Sequence, residues 1–210
     1  MTRLLLIRHG ETQWNREEVF RGRADVALSE QGRRQAEALA ASAPVGEIAA
    51  VYASPLSRAR ETAEALARAA RRKVVILDDL VDMSYGEWEG KPLAVVQRQY
   101  PQLFSVWAKT PHLFRPPGGE TLDEVRERAF PALRELIAAH SSETIALVTH
   151  RVVTKVLLCA MMGLDNSAFW LVRQDTACLN VVEAEGGRFV VVRLNDTCHL
   201  RELGGDRIDF

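Results

Sequence analysis

The chain has 210 residues, enough for one medium domain with a sizeable core and short for two. Hydrophobic residues make up 47% and charged residues 26%, near the averages of soluble globular proteins, which excludes the disordered and fibrous classes. With 27 Lys and Arg against 28 Asp and Glu, the net charge of −1 gives no global field for nucleic acid or an anionic membrane, so any anion site must be local.

Leu4 to Ile7 is a short continuous apolar run, the pattern of a strand covered on both faces. It stops at Arg8, His9 and Gly10, too early for a signal-peptide core, and no run nears the roughly 18 apolar residues of a membrane span, so the chain reads as cytoplasmic. After a polar loop, Ser29 stands as the N-cap of a helix in "EQGRRQAEALAAS", where Ala36, Leu39 and Ala40 share one face. Glu47 to Ser54 reads as a second strand, and "PLSRARETAEALARAAR" as a helix with Pro55 in its first turn. A third apolar run lies near residues 73 to 77. Segment 83–120 carries Trp88, Trp107 and five prolines with no clean period; it is expected to form short helices and loops over the carboxyl edge of the sheet, a lid in which substrate choice resides.

Thr121 and Glu124 form a capping box for the next helix, and Pro131 inside its apolar pattern predicts a kink. Glu143 to Arg151 is a fourth strand, followed by the helix "VVTKVLLCAMMG", which Gly163 terminates. In "LNVVEAEGGRFVVVRLND", two β-branched runs around Glu-Gly-Gly predict a hairpin. Strands alternating with helices and ending in an antiparallel piece predict an α/β fold with a mostly parallel sheet, a single domain over residues 1–210. Three cysteines, Cys159, Cys178 and Cys198, are too few for a disulfide framework and no CxxC pair suggests zinc.

In open α/β sheets, ligands bind beyond the carboxyl ends of the strands. Arg8, His9 and Gly10 follow the first apolar run, Ser54 and Arg58 the second, and His150 and Arg151 the fourth, whereas His112, His140 and His199 fall in loops or on helix surfaces. Imidazoles and guanidiniums gathered at one edge repel one another unless an anion lies between them, and guanidinium matches phosphate with paired hydrogen bonds. Gly10, lacking Cβ, would let that anion approach the backbone. A neutral imidazole in such a cluster can act as a nucleophile and form a phosphorylated enzyme. His9 is the better candidate for that role and His150 for stabilising charge. One strand-end histidine is more often structural than catalytic; the recurrence at several strand ends argues for function.

Taken in order, "LIRHGETQWN", "GRADVALSEQGRRQA", "ASPLSRARETA", "MSYGEWEG", "PPGGET" and "LVTHRVVTKVLL" resemble the histidine phosphatase superfamily over nearly the whole chain. The resemblance implies the phosphoglycerate mutase-like fold, a three-layer α/β/α arrangement with a mostly parallel central sheet and an antiparallel edge. It implies that His9 attacks phosphorus, that Arg8, Arg58 and His150 hold the phosphoryl oxygens, and that Asn15 contacts the phosphate. The proton donor, usually a glutamate, falls on Asp82, with Glu87 and Glu89 as alternatives. Arg21, before Gly22, stands where many members of the phosphatase branch carry glutamine; it either engages a second anionic group of the substrate or lies on the surface. Arg151 stands where many members carry glycine, and its side chain is expected to point away, leaving its backbone N–H to the phosphate.

No cofactor and no metal are implied. The compact length favours hydrolysis of small-molecule phosphate esters, as in the group of α-ribazole phosphatases and broad-specificity phosphatases, by a monomer or homodimer. The alternatives are a 2,3-bisphosphoglycerate-dependent phosphoglycerate mutase and a non-catalytic phospho-ligand-binding protein. A nucleotide-binding Rossmann domain is disfavoured because neither GxGxxG nor a P-loop is present.

Overall fold

Along the first apolar run, successive side chains go to opposite sides: Leu4 and Leu6 join one hydrophobic cluster, Leu5 and Ile7 another, and all four are fully buried. A strand buried on both faces must lie inside a sheet that is covered on both sides. The computed structural model describes residues 1–203, so 204–210 of the expected domain lie outside the described residues. In chain order the elements are β1 (Thr2–Arg8), the single turn α1 (Gln13–Arg16), α2 (Glu30–Ser42), β2 (Ile48–Ala53), α3 (Ser57–Ala70) and β3 (Val74–Ile76). There follow α4 (Leu93–Gln99), α5 (Pro101–Lys109), α6 (Leu122–Ala139), β4 (Thr144–Thr149), α7 (Arg151–Met161), β5 (Leu179–Glu185) and β6 (Arg188–Asp196).

The sheet order is β3-β2-β4-β1-β5-β6, parallel from β3 to β1 and antiparallel at β5 and β6. Leu39 of α2 and Ala63 and Leu66 of α3 cover the face that carries Leu5, Ile7 and Val148. Val125 and Leu133 of α6 and Val153 and Leu157 of α7 cover the other, with Leu4, Leu6 and Leu147. Helices on both faces make three layers, as the resemblance implies. Each fully buried Leu or Ile contributes about 1.5–3 kcal/mol, which fixes the strands in register and in position.

Local signals hold where the partner is local. The Ser29 hydroxyl accepts from the Gly32 N–H at 3.0 Å, and Thr121 with Glu124 closes the capping box at 2.8 and 3.2 Å. Gly163, with φ +73°, ends α7 in a left-handed turn closed by the bond from Leu164 N–H to the Cys159 carbonyl. Gly186 and Gly187, both at positive φ, make the hairpin turn.

One expectation needs correction. Pro55 lies before α3 rather than in its first turn: the helix starts at Ser57, whose N–H and hydroxyl donate to the Asp25 carboxylate at 2.7 and 2.8 Å, a cap from 32 residues away. Pro131 lies inside α6, which runs on to Ala139; the proline is exposed, so water can meet the carbonyl that loses its partner. The third strand is three residues long and half exposed at Val75 and Ile76, being the edge.

Segment 83–120 forms α4, α5 and short 3-10 turns, as expected, but its aromatic side chains are core. Trp88, Trp107 and Phe114 are buried, with the Phe114 ring 4.8 Å from Trp88 and 5.2 Å from Trp107. The three cysteines are unbridged. Among the described residues, no helix is long and apolar enough to cross a membrane.

Candidate active site

Parallel neighbours end together. Arg8 of β1 pairs with Thr149 of β4, and Ala53 of β2 with Val148, so the next residues, His9, His150 and Ser54, emerge side by side from three adjacent strands. Backbone bonds continue past the strand ends, from His9 N–H to the Thr149 carbonyl at 2.9 Å and from Ser54 N–H to the Val148 carbonyl at 3.1 Å. The two imidazole rings lie 5.2 Å apart and are both buried.

Hydrogen bonds assign their protons. His9 Nδ1 is 2.6 Å from the Gly10 carbonyl, which can only accept, so Nδ1 carries the hydrogen and Nε2 keeps its lone pair. Burial, and then the guanidiniums of Arg58, Arg8 and Arg21, hold its pKa well below the ordinary imidazole value, so the ring is neutral at pH 7. His150 Nδ1 accepts from Arg58 Nε at 3.2 Å, which leaves Nε2 to donate to the Ser54 hydroxyl at 2.7 Å. Burial and the Arg58 charge also push its pKa well down.

Arg58 is wholly buried and donates to the carbonyls of Ala24 and Gly22 at 2.8 and 2.7 Å and to Asp82 Oδ2 at 3.3 Å. Arg8, equally buried, donates to the Gln174 carbonyl; the Gln174 amide is tied to Asn180 at 2.9 and 2.7 Å, and Asn180 to the Leu6 carbonyl. Asp82 accepts from Met83 N–H at 3.0 Å. Burial raises its pKa above the usual carboxylate value against the opposing pull of Arg58 and Arg21, which favours a retained proton. Arg128 holds this segment in place through the carbonyls of Asp82 and Asp79 and through Glu120.

A narrow cleft is lined by His9, Arg21, Gly22, Asp82 and Arg151, together with Tyr85, Val19, Phe20 and Val152. Arg58 and His150 touch each other, and both approach Asp82, His150 Nδ1 at 3.8 Å from Oδ2. Arg151 corrects its expectation: its side chain lines the cleft, hydrogen-bonds Tyr85 and lies 5.8 Å from the Trp170 ring. Arg21 is 7% exposed, so it is not a surface residue; burial, Arg8, Arg151 and Arg58 lower its pKa to about 9.

Gly10 serves packing rather than anion approach. Its N–H donates to the Thr62 hydroxyl at 3.0 Å, and a Cβ there would lie 2.6 Å from the Gly32 carbonyl oxygen. Asn15 is buried, but its carbonyl oxygen closes the turn at Thr12 with two bonds of 2.9 Å and the residue does not line the cleft. Glu87 accepts from the Tyr100 hydroxyl, and Glu89 from the N–H groups of Arg23 and Tyr85. Neither lines the cleft, which leaves Asp82 as the carboxyl beside His9.

Sequence reasoning missed Tyr85, the only residue of 83–120 in the lining; 19–22 and 151–152 supply more of it. It also missed Arg128 and the Gln174–Asn180 pair that holds Arg8. Asn180 inside the apolar run "LNVVE" was the available signal, since a polar residue in a central strand must find a partner.

Known proteins are similar throughout. Residues 4–197 match the family profile of the histidine phosphatase superfamily, branch 1. Phosphoserine phosphatase 1 of Hydrogenobacter thermophilus is 36% identical over 203 residues, covering 97% of this chain and 96% of that protein. The structure of YhfR from Bacillus stearothermophilus superposes with a TM-score of 0.91 at 33% identity, over 96% of this chain and 100% of that one. The α-ribazole phosphatase from Shigella flexneri superposes with a TM-score of 0.84 at 26% identity, over 92% and 96%.

Proposed function

The chain belongs to branch 1 of the histidine phosphatase superfamily and is a phosphomonoester hydrolase, and from that premise we propose that His9 is the nucleophile of a two-step, metal-independent reaction on a small-molecule phosphate ester. The observation that carries this reading is the His9 tautomer: Nδ1–H bound to the Gly10 carbonyl leaves Nε2 nucleophilic in a buried cluster of guanidiniums.

In the first step a bond forms from His9 Nε2 to phosphorus while the ester P–O bond breaks, and Asp82 gives its proton to the departing oxygen. The incoming phosphate dianion, near the carboxyl, adds to burial in keeping that proton in place until then. In the second step the Asp82 carboxylate takes a proton from water, the water oxygen attacks phosphorus, and the P–N electron pair returns to Nε2. Arg8, Arg58 and His150 stabilise charge on the equatorial oxygens.

The test is phosphate release from small esters, including 3-phosphoglycerate and phosphoserine, in chelator. Wild type is expected to turn over, and His9→Ala to lose all turnover. Asp82→Asn is expected to lose about 10²–10⁴-fold on alkyl esters and far less on p-nitrophenyl phosphate, whose leaving group departs without a proton. Turnover surviving in His9→Ala would remove the nucleophile assignment, and loss in chelator the metal independence. Mutase activity appearing only with 2,3-bisphosphoglycerate would place the protein in the mutase branch, and binding without turnover would make it a phospho-ligand-binding protein.

A further inference from the structure

Asp82 stands on no helix and no strand. It lies between two 3-10 turns, Asp78–Leu80 and Gly86–Trp88, so no ladder of regular hydrogen bonds fixes its distance from His9. A proton donor must come within about 3 Å of the leaving oxygen, and a misplacement of about 1 Å costs up to about a hundredfold in rate. The placement of this segment therefore depends on side chains that reach it from elsewhere, and they converge on Glu120. That residue directly precedes Thr121, the N-cap of α6, and is not among the residues that line the cleft. Its Oε1 accepts from Arg128 Nε at 3.0 Å and from Arg23 Nη2 at 2.8 Å; its Oε2 accepts from the Ser84 N–H at 2.8 Å and from Arg128 Nη2 at 3.2 Å.

The two oxygens grip the Nε–Nη2 edge of Arg128, which turns Nη1 to the Asp79 carbonyl at 2.6 Å and Nη2 to the Asp82 carbonyl at 3.2 Å. The main chain adds a further bond, from the Glu120 N–H to the Ser84 carbonyl at 2.9 Å. The approach is backbone to backbone: a Cβ on Gly119 would lie 2.4 Å from the Ser84 carbonyl oxygen, and one on Gly86 2.1 Å from that of Pro117. Each of the four bonds to the carboxylate comes from a donor. A glutamine amide would turn its NH2 toward donors in either orientation, so the nearest isostere sets N–H against N–H. Arg23 belongs to the loop whose carbonyls at Gly22 and Ala24 hold Arg58, but that loop has other anchors, from Asp25 to Ser57 and from Glu89 to the Arg23 N–H. Loss of Glu120 therefore falls on the acid segment rather than on the arginine that meets the phosphate.

We propose that Glu120 is the positioning residue of the general acid: acting through Arg128 and Ser84, it sets the distance from the Asp82 carboxyl to the leaving oxygen. This rests on the phosphatase reading above, in which Asp82 protonates the leaving group, and adds the residue that places it.

Two leaving groups separate this role from a merely structural one, compared by kcat/KM, which reports the steps up to phosphoryl transfer. Propyl phosphate needs the proton; p-nitrophenyl phosphate does not. Glu120→Gln is expected to lose about tenfold to a hundredfold on propyl phosphate and less than about threefold on p-nitrophenyl phosphate. Arg128→Lys keeps the charge and removes the planar fork; it is expected to show the same selectivity, and it carries the test if Glu120→Gln does not fold. In an Asp82→Asn background, Glu120→Gln is expected to cost little further on propyl phosphate, because the proton it places is gone. Equal losses on the two esters, no loss on either, or full additivity with Asp82→Asn overturns the proposal. A loss in Asp82→Asn that is itself equal on both esters removes the proton donor and the proposal with it. A selective loss in Asp82→Asn beside an unselective one in Glu120→Gln overturns the positioning role alone.

Discussion

One hydrogen decides what His9 can do. Its position on Nδ1 is fixed by the Gly10 carbonyl, and burial with three guanidiniums keeps a second proton off Nε2. Asp82 is shifted the opposite way, burial raising its pKa above the usual carboxylate value against the pull of Arg58 and Arg21. The proposed mechanism needs a neutral His9 and a protonated Asp82 in the free enzyme. On the acid side kcat/KM should fall only well below pH 6.5, as His9 takes its second proton; on the alkaline side it should fall as Asp82 ionises, from a pKa above 3.8. Asp82→Asn should lose the alkaline limb and keep the acid one. A pH profile with an alkyl phosphate ester, corrected for the ester's own ionisation, checks this, and an acid limb at the ordinary imidazole value would refute the buried neutral ring. At this scale His9, Arg58 and His150 were legible because each follows an apolar run at a fixed offset. The direction of Arg151 was not, because Tyr85 and Trp170, which set it, are remote in sequence.

Elements meet at this site backbone to backbone. The first turn of α2 packs on the turn after β1 so closely that a Cβ on Gly32 would lie 2.0 Å from the Glu11 carbonyl oxygen. Helix propensity alone favours Ala over Gly by about 1 kcal/mol. The contact is with main chain that carries His9 at its other end, so no flexible side chain can yield. Gly32→Ala is accordingly expected to destabilise by about 1–3 kcal/mol and to lower kcat/KM; a denaturation midpoint at or above wild type would show that the contact is not tight. The same distinction explains what the sequence revealed of the elements. Caps made within four residues, at Ser29 and Thr121, could be read directly, and so could the hairpin glycines. The Asp25 cap of α3 and the Gly10–Gly32 approach join segments more than 20 residues apart, and no local pattern records them.

For the whole molecule, a site built to meet an anion carries a pH-dependent cost when it is empty of one. His9 and His150 both have pKa values well below their unfolded value of about 6.5, so the unfolded chain binds protons there that the folded chain refuses. Stability must fall as pH drops below about 6.5, by up to about 1.4 kcal/mol per pH unit for each ring. His199, also lowered by burial, adds in the same direction. Asp82 opposes them: its raised pKa returns stability as pH falls through the folded value towards 3.8. Replacing His9 and His150 together with glutamine should therefore flatten urea-derived stability between pH 6.5 and 5 relative to wild type. Inorganic phosphate should stabilise wild type at pH 7 by about 2.7 kcal/mol at a hundred times its Kd. It should stabilise Arg58→Gln much less, because the charge that meets the anion is gone. Parallel pH slopes in wild type and the double histidine variant would mean that the rings charge freely in the fold. The burial that keeps His9 neutral would then not be at work.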